Sequence, residues 1–255
     1  MTQRELTLWE HLRELRRRLL ISVIALVAGT ALAFPFWEKI VILLKRPAQE
    51  LNDGAGIPLI ATQVTEAFTT SFKVSIVAGL VLASPVVLYQ VIRFIAPGLT
   101  SREQRYLLAF LPAVLLAFLG GVAFGYFVLT PQALPFLLSF GGEVVEPQIR
   151  VSSYVDVMIR LLFWMGVVFE TPLVMLLLAQ LGIVNARTFS RFRRYWIIVA
   201  FILGAIITPT VDPINQALVA APLLVLYEVG ILLAKLVGRK RSRSSHAIEP
   251  ISGAE

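Results

Sequence analysis

Cysteine is absent from the 255 residues, which excludes a disulfide framework, a zinc–thiolate site and a thiol nucleophile. Histidine is nearly absent too. His11 and His246 both lie in polar terminal segments, so no imidazole base or ligand sits in the apolar body. There is no G-x-S-x-G elbow, no H-E-x-x-H pair and no phosphate-binding loop. These absences leave hydrolysis by nucleophile or zinc, and transport driven by nucleotide, without a sequence basis. Charge is scarce: 15% of residues, against about 25% in an ordinary soluble domain. What fills the space is apolar. Hydrophobic residues make up 57% and the mean hydropathy is +0.79. A disordered chain is excluded by that hydropathy, and a water-soluble globule would have nowhere to hide the surface. The sequence reads as a membrane-spanning protein.

A spanning helix needs about 20 mostly apolar residues. Leu19–Trp37 and Val74–Ile92 carry no charge, and Tyr106–Gly142 is uncharged for 37 residues. Arg160 to Arg187 encloses one ionisable group, Glu170. Tyr195–Val211 and Pro213–Tyr227 are uncharged. Six spans are expected, at about 18–37, 70–95, 106–130, 152–180, 194–209 and 214–235. The last two are short. Tyr195–Thr208 is 14 residues, about 21 Å of helix, and such spans must thin the bilayer or lean on partners. The expected class is an all-α integral membrane protein, with one domain over residues 1–243 and a polar, disordered tail over 244–255.

The net charge of +7 is read by position. Of 23 Lys and Arg, 17 fall in the N-terminal segment, the 96–106 loop with Arg93 at its edge, the 181–194 loop and the tail. The positive-inside rule makes that face cytoplasmic, with both termini on it. Arg16–Arg18 followed by Ala31-Leu32-Ala33 imitates a cleavable signal peptide. Against cleavage stand the charged amphipathic run from Arg4 to Glu14, the apolar stretch continuing to Trp37, and Pro35 close behind the site. On the opposite face, 38–69 and 131–151 are rich in Pro and Gly and read as structured caps.

Four places could carry function. Glu170 stands in Phe169-Glu170-Thr171-Pro172 inside the fourth span. A carboxyl at that depth costs at least about 2.5 kcal/mol, so it faces a cavity or partner unless it is protonated and bonded within its own helix. Glu228 reads as an interfacial group near a span end. The run from His11 to Leu20 carries a leucine stripe at 12, 15, 19 and 20 on an interfacial helix. Its arginines also suit a snorkelling belt, and Glu14 suits an i,i+4 pair with Arg18. Thr100-x-x-Glu103 has capping-box spacing. Alternatively Glu103 joins Glu14 as an acidic spot in a basic surface, able to take an arginine pair by bidentate hydrogen bonds. Asp212 reads as the N-cap of the sixth span with Pro213 behind it, or with Gln216 as a docking point.

Taken together, the sequence resembles the TatC family, the multi-spanning core of the twin-arginine protein translocase, over about residues 8–236. The resemblance is carried by His11–Leu19, Ser84-Pro85-Val86-Val87-Leu88-Tyr89-Gln90, Phe94-Ile95-Ala96-Pro97-Gly98-Leu99 and Glu103. It continues in Phe124-Gly125-Tyr126-Phe127, Phe169–Pro172 and Thr208-Pro209 followed by Asp212. It implies a glove-shaped, concave six-helix body in the cell inner (cytoplasmic) membrane. It implies that twin-arginine signal peptides of folded cargo bind here, and that the chain self-associates and works with TatA- and TatB-type single-span subunits. Transport would draw on the proton-motive force, with no enzyme activity, cofactor, metal or nucleic acid. Carried over by position, Glu14 and Glu103 receive the arginine pair, with Leu15, Arg16, Phe94 and Pro97 beside them. Glu170 is the polar point of the concave face. Pro47, Phe68 and Tyr126 belong to the outer cap and third span, and Asp212 and Gln216 to the last outer turn, where a partner helix docks. The stretch Thr208-Pro209-Thr210-Val211-Asp212 holds one residue more before the acid than the family's common form.

The expected mechanism is a docking platform and not a pore, because six helices cannot enclose a hole for a folded protein. A proton-coupled small-solute transporter would need ionisable groups along a path and repeated halves. Glu170 stands largely alone, and no repeat is visible. A scaffold subunit would differ only in lacking affinity for the peptide.

Overall fold

The structure is a computed structural model that describes residues 8–49, 59–95, 101–139, 148–208 and 212–246. The chain forms two compact units, Met1–Gly166 and Val167–Glu255. Among the described residues, five helical stretches are long and apolar enough to cross a membrane: Trp9–Pro47, Glu66–Ile95, Leu107–Phe136, Val151–Gln180 and Pro213–Leu236.

In the first unit, α1 (Leu8–Ala33) runs through a 3-10 turn at Phe34–Phe36 into α2 (Trp37–Gln49). Pro35 opens the 3-10 turn, where its missing N–H costs nothing. α3 (Glu66–Ile95) crosses α1 at Gly29 and Gly79. A Cβ on Gly29 would meet the Gly79 carbonyl oxygen at 2.5 Å, so only glycine lets the two backbones approach this closely. α4 (Ser101–Ala109) is separated from α5 (Leu111–Phe124) by a break at Phe110, just before Pro112. A π-helical turn, Gly125–Leu129, then leads into α6 (Thr130–Ser139). The Thr130 hydroxyl donates to the Gly125 carbonyl at 2.8 Å, which anchors the widened turn. The unit closes at Gly166, inside α7 (Val151–Phe169). Its core joins Val41 and Leu44 of α2, Val74 of α3, Leu134 of α6, and Tyr154, Val155, Met158 and Leu162 of α7.

Two features depart from a plain helical reading. β1 (Leu59–Ile60) pairs in parallel with β2 (Ile149–Arg150), which ties the two cap segments together. The cap after the first span begins as helix α2, and is not made of turns alone.

Two of the prolines inside the helices, Pro85 and Pro47, have their freed carbonyls answered by hydroxyls. Pro85 cannot donate to Val81, and the Ser84 hydroxyl donates to that carbonyl at 2.7 Å. Pro47 leaves the Leu43 carbonyl without its helical donor. The Tyr126 hydroxyl reaches it at 2.7 Å, and Tyr154 donates to the neighbouring Leu44 carbonyl at 2.6 Å.

In the second unit, α8 (Thr171–Gln180) ends in a left-handed Gly182, φ 76°. Ile183 N–H donates to Leu178 and Gly182 N–H to Ala179, the pairing that closes a helix end of this type. α9 (Ala186–Ile207) is a 22-residue helix, but Arg187, Arg191, Arg193 and Arg194 charge its first half, which leaves a short apolar part. α10 (Pro213–His246) runs past the uncharged Pro213–Tyr227 stretch. Glu228 lies on it without ending it, held by Arg193 of α9 through two contacts of 2.6 and 2.8 Å. Tyr227 stacks on Trp196 at 4.6 Å and donates to the Phe189 carbonyl at 2.9 Å. α10 continues through 244–246, which the sequence assigns to the tail, and 247–255 lie outside the described residues.

Candidate functional site

The start of α1 and the end of α3 build one polar cluster in the first unit. α1 begins amphipathic, so Glu14 and Arg18 stand one turn apart on a face that meets α3. Arg18 Nη2 donates to Glu14 Oε1 at 3.0 Å, and Nη1 donates to Gln90 Oε1 at 3.0 Å. Gln90 is buried, while the Glu14 and Arg18 side chains keep 21% and 24% of their exposure. His11 and Phe94 close the same end with ring centroids 4.6 Å apart. Leu15 and Arg16 are exposed, as are Arg13 and Arg17. The result is one partly open carboxylate in a basic surface, oriented from behind by a guanidinium. Among the described residues, its second oxygen has no protein partner. Such an oxygen accepts from an incoming guanidinium, and the surrounding arginines oppose any cation that does not find it.

Of the residues expected with Glu14, the structure brings Phe94 to the cluster and leaves Leu15 and Arg16 beside it, facing outward. Glu103 belongs to α4, but its side chain, like Pro97, lies outside the described residues. Arg18 and Gln90 complete the cluster and were not singled out as site residues. The i,i+4 spacing gives the first. The second has no local signal, being 72 residues away.

In the second unit, Glu170 occupies the break between α7 and α8. Pro172 starts α8, and the Glu170 carbonyl accepts from Leu173 and Val174 at 3.0 and 2.9 Å. Its side chain makes no cap. Oε1 is buried with no hydrogen-bond partner among the described residues. The break therefore leaves a carboxyl within the apolar Val151–Gln180 stretch with nothing to satisfy its buried oxygen, an arrangement that a water, a proton or a partner would complete. Asp212 caps α10: Asn215 N–H donates to Oδ1 at 2.7 Å and Asn215 Nδ2 to Oδ2 at 3.0 Å. Gln216 lies one residue on, with its backbone against Gly204 of α9.

The outer-cap residues separate by role. Pro47 is buried, and Tyr126 seals the carbonyl it frees. Phe68 is 64% exposed and meets the Phe72 ring at 4.9 Å. The strongest polar node of the cap, Glu66, escaped the sequence reading. It is 2% exposed and accepts from Thr62 N–H at 2.8 Å, Gln63 N–H at 3.3 Å, Ser152 N–H at 3.0 Å and Ser152 Oγ at 2.7 Å, with Arg150 at 3.7 Å. One carboxylate thus joins the N-terminal ends of α3 and α7. The described residues hold no group of three or more His, Asp or Glu able to bind a metal.

Comparison with known proteins adds the family context. The family model for Sec-independent protein translocase protein (TatC) matches residues 10–222. The protein of that name from Carboxydothermus hydrogenoformans is 39% identical over 240 residues, covering 94% of this chain and 97% of its own. Its counterpart in Aquifex aeolicus is 40% identical over 242 residues, covering 94% and 99%. A crystal structure of the twin-arginine translocase receptor TatC superposes with a TM-score of 0.79 at 39% identity, covering 90% of this chain and all of that one.

Proposed function

Because this chain belongs to the TatC family of Sec-independent protein translocase proteins, we propose that it is the subunit that receives a paired-arginine signal peptide and presents its cargo for export. Glu14 and Glu103 take the two guanidinium groups. Phe94, Leu15, Arg16 and Pro97 frame the approach. The observation that carries this reading is the Glu14–Arg18–Gln90 cluster, where a partly exposed carboxylate is held in place with one oxygen to spare. Lysine would serve worse than arginine, because only the planar fork bonds a carboxylate at two points.

Residues 1–243 act as one membrane domain of six spans, with both termini in the cytoplasm of a cell whose inner membrane holds it. The short apolar part of α9 is the fifth span. Glu170 is the polar point met by the apolar part of the signal or by a partner helix. Asp212 and Gln216 mark the turn where a TatA- or TatB-type helix docks. The chain self-associates, performs no catalytic chemistry, and the proton-motive force supplies the work.

The test is binding of a fluorescent signal peptide to the purified chain in detergent. A twin-arginine peptide binds at least tenfold more tightly than its twin-lysine form. Glu14→Gln and Glu103→Gln each remove most of that difference. Equal binding of the two peptides, or an unchanged ratio in both variants, overturns the proposal.

A further inference from the structure

An apolar pocket of about 760 Å³ opens in the first unit between α1, α2, α3, α5, the π-helical turn and α7. Its walls include Leu32, Phe36, Ala78, Val122, Phe127 and Phe163. Every lining residue is apolar except Tyr126, whose hydroxyl is already given to the Leu43 carbonyl. The volume falls within the roughly 300–1,000 Å³ of sites that enclose a small ligand. Leu32, Leu82 and Phe127 at its edge are 68%, 58% and 72% exposed, so the mouth opens sideways from the helices.

The position along the helices says what meets that mouth. From Arg18 to Phe36 is about 27 Å of helix, close to the roughly 30 Å of a hydrocarbon core. Phe36 therefore lies at the far edge of the apolar layer, and the pocket reaches inward from it. Along α3 the lining runs from Val74 to Leu82, about 12 Å, nearly the half-thickness that one acyl chain fills. At the same edge Lys39 is exposed, with its ammonium 5.7 Å from the centroid of the Phe36 ring that forms the wall. Neighbouring Glu38 points about 100° away around the helix. A cation thus sits at the rim of a dry, chain-sized slot at acyl depth.

We propose that this pocket is a binding site for one anionic glycerophospholipid of the leaflet opposite the Arg16–Arg18 belt, its acyl chain in the slot and its phosphate on Lys39. A dry pocket with no polar group to satisfy suits a hydrocarbon chain better than an extended peptide, whose backbone would bring unpaired N–H and C=O groups, and a slot of chain width is too narrow for a helix about 10 Å across. The bound lipid completes the core between α1, α3 and α5 where the protein itself leaves a gap, and it fixes the wall carrying Tyr126 and Phe127. The site stands apart from the signal-peptide reading and does not rest on it.

The experiment uses the full chain in vesicles of mixed phosphatidylglycerol and phosphatidylcholine, with a trace of either lipid carrying a photoreactive group on its acyl chain. After irradiation, adducts are mapped by peptide mass spectrometry. The expected result is adducts concentrated on 32–44, 74–82 and 118–127. Ala123→Phe, which fills the slot from an exposed wall position, lowers them at least about fivefold. Lys39→Gln leaves the adduct positions unchanged but cuts the preference for phosphatidylglycerol about fivefold, the share of one cation at a membrane surface. An unchanged thermal midpoint shows that each variant is folded. Adducts spread evenly over the outward helix faces, or undiminished by Ala123→Phe, overturn the proposal. So does a benzophenone at Leu119 that captures a second copy or another polypeptide in place of lipid.

Discussion

Glu66 and Glu170 are both carboxylates carried by apolar helices, and the chain treats them in opposite ways. Around Glu66 the first unit gathers five donors and an arginine, and buries the group among them. Around Glu170 the second unit breaks a helix, places a proline, and leaves a buried oxygen with no partner among the described residues. A satisfied acid holds elements together. An unsatisfied one is kept at a cost to stability, which makes it a candidate for function. The difference separates a group that builds this protein from one we propose it uses.

Four variants break or sharpen that contrast. Glu66→Ala has the largest expected effect on folding, because it strands the Ser152, Thr62 and Gln63 donors together. A fall in thermal midpoint of roughly 10 °C in detergent is expected, and a loss below a few degrees would mean that the node is ornamental. Gly79→Leu comes next. A side chain at the α1–α3 crossing collides with backbone that cannot move aside, so folded yield and midpoint both drop, with a stability loss of about 1–3 kcal/mol or more. Glu170→Gln inverts the pattern: the midpoint stays within about 2 °C, while transport of a twin-arginine cargo falls at least tenfold. A variant that loses stability but keeps transport would make Glu170 a second Glu66. Tyr126→Phe is the mildest. It unseals the solvent-accessible Leu43 carbonyl for about 0.5–1.5 kcal/mol, and transport corrected for the amount of folded protein stays unchanged.

Much of this was legible from the sequence, and the reasons differ from residue to residue. Glu170 announces itself because an acid in an uncharged run has no soluble explanation. Asp212 is read as a cap from Pro213 behind it, and the Asn215 bonds agree. Glu14 and Arg18 follow from helical spacing. Glu66 was illegible because the partner that makes it a node, Ser152, is 86 residues away, and its closest bonds to Thr62 and Gln63 are to backbone, which the sequence does not display. The β1–β2 ladder is two residues long, too short for any periodicity. Glu228 reads as an ordinary interfacial acid until α9 brings Arg193 across 35 residues. Pro47 and Tyr126 were each quoted as family positions, yet their relation, a freed carbonyl and the hydroxyl that answers it, appears only in three dimensions.

That pairing bears on how the chain is made. The freed carbonyl at Pro85 is served locally, since Ser84 emerges one residue ahead of the proline. The one at Pro47 has no such neighbour. Its donor, Tyr126, follows the Leu43 carbonyl by 83 residues and leaves the ribosome long after the first hairpin has entered the lipid. Until the third span arrives, this end of the nascent protein holds an open polar group, which water must serve. Insertion thus has a built-in order, in which the cap can set only once the Tyr126 turn is threaded.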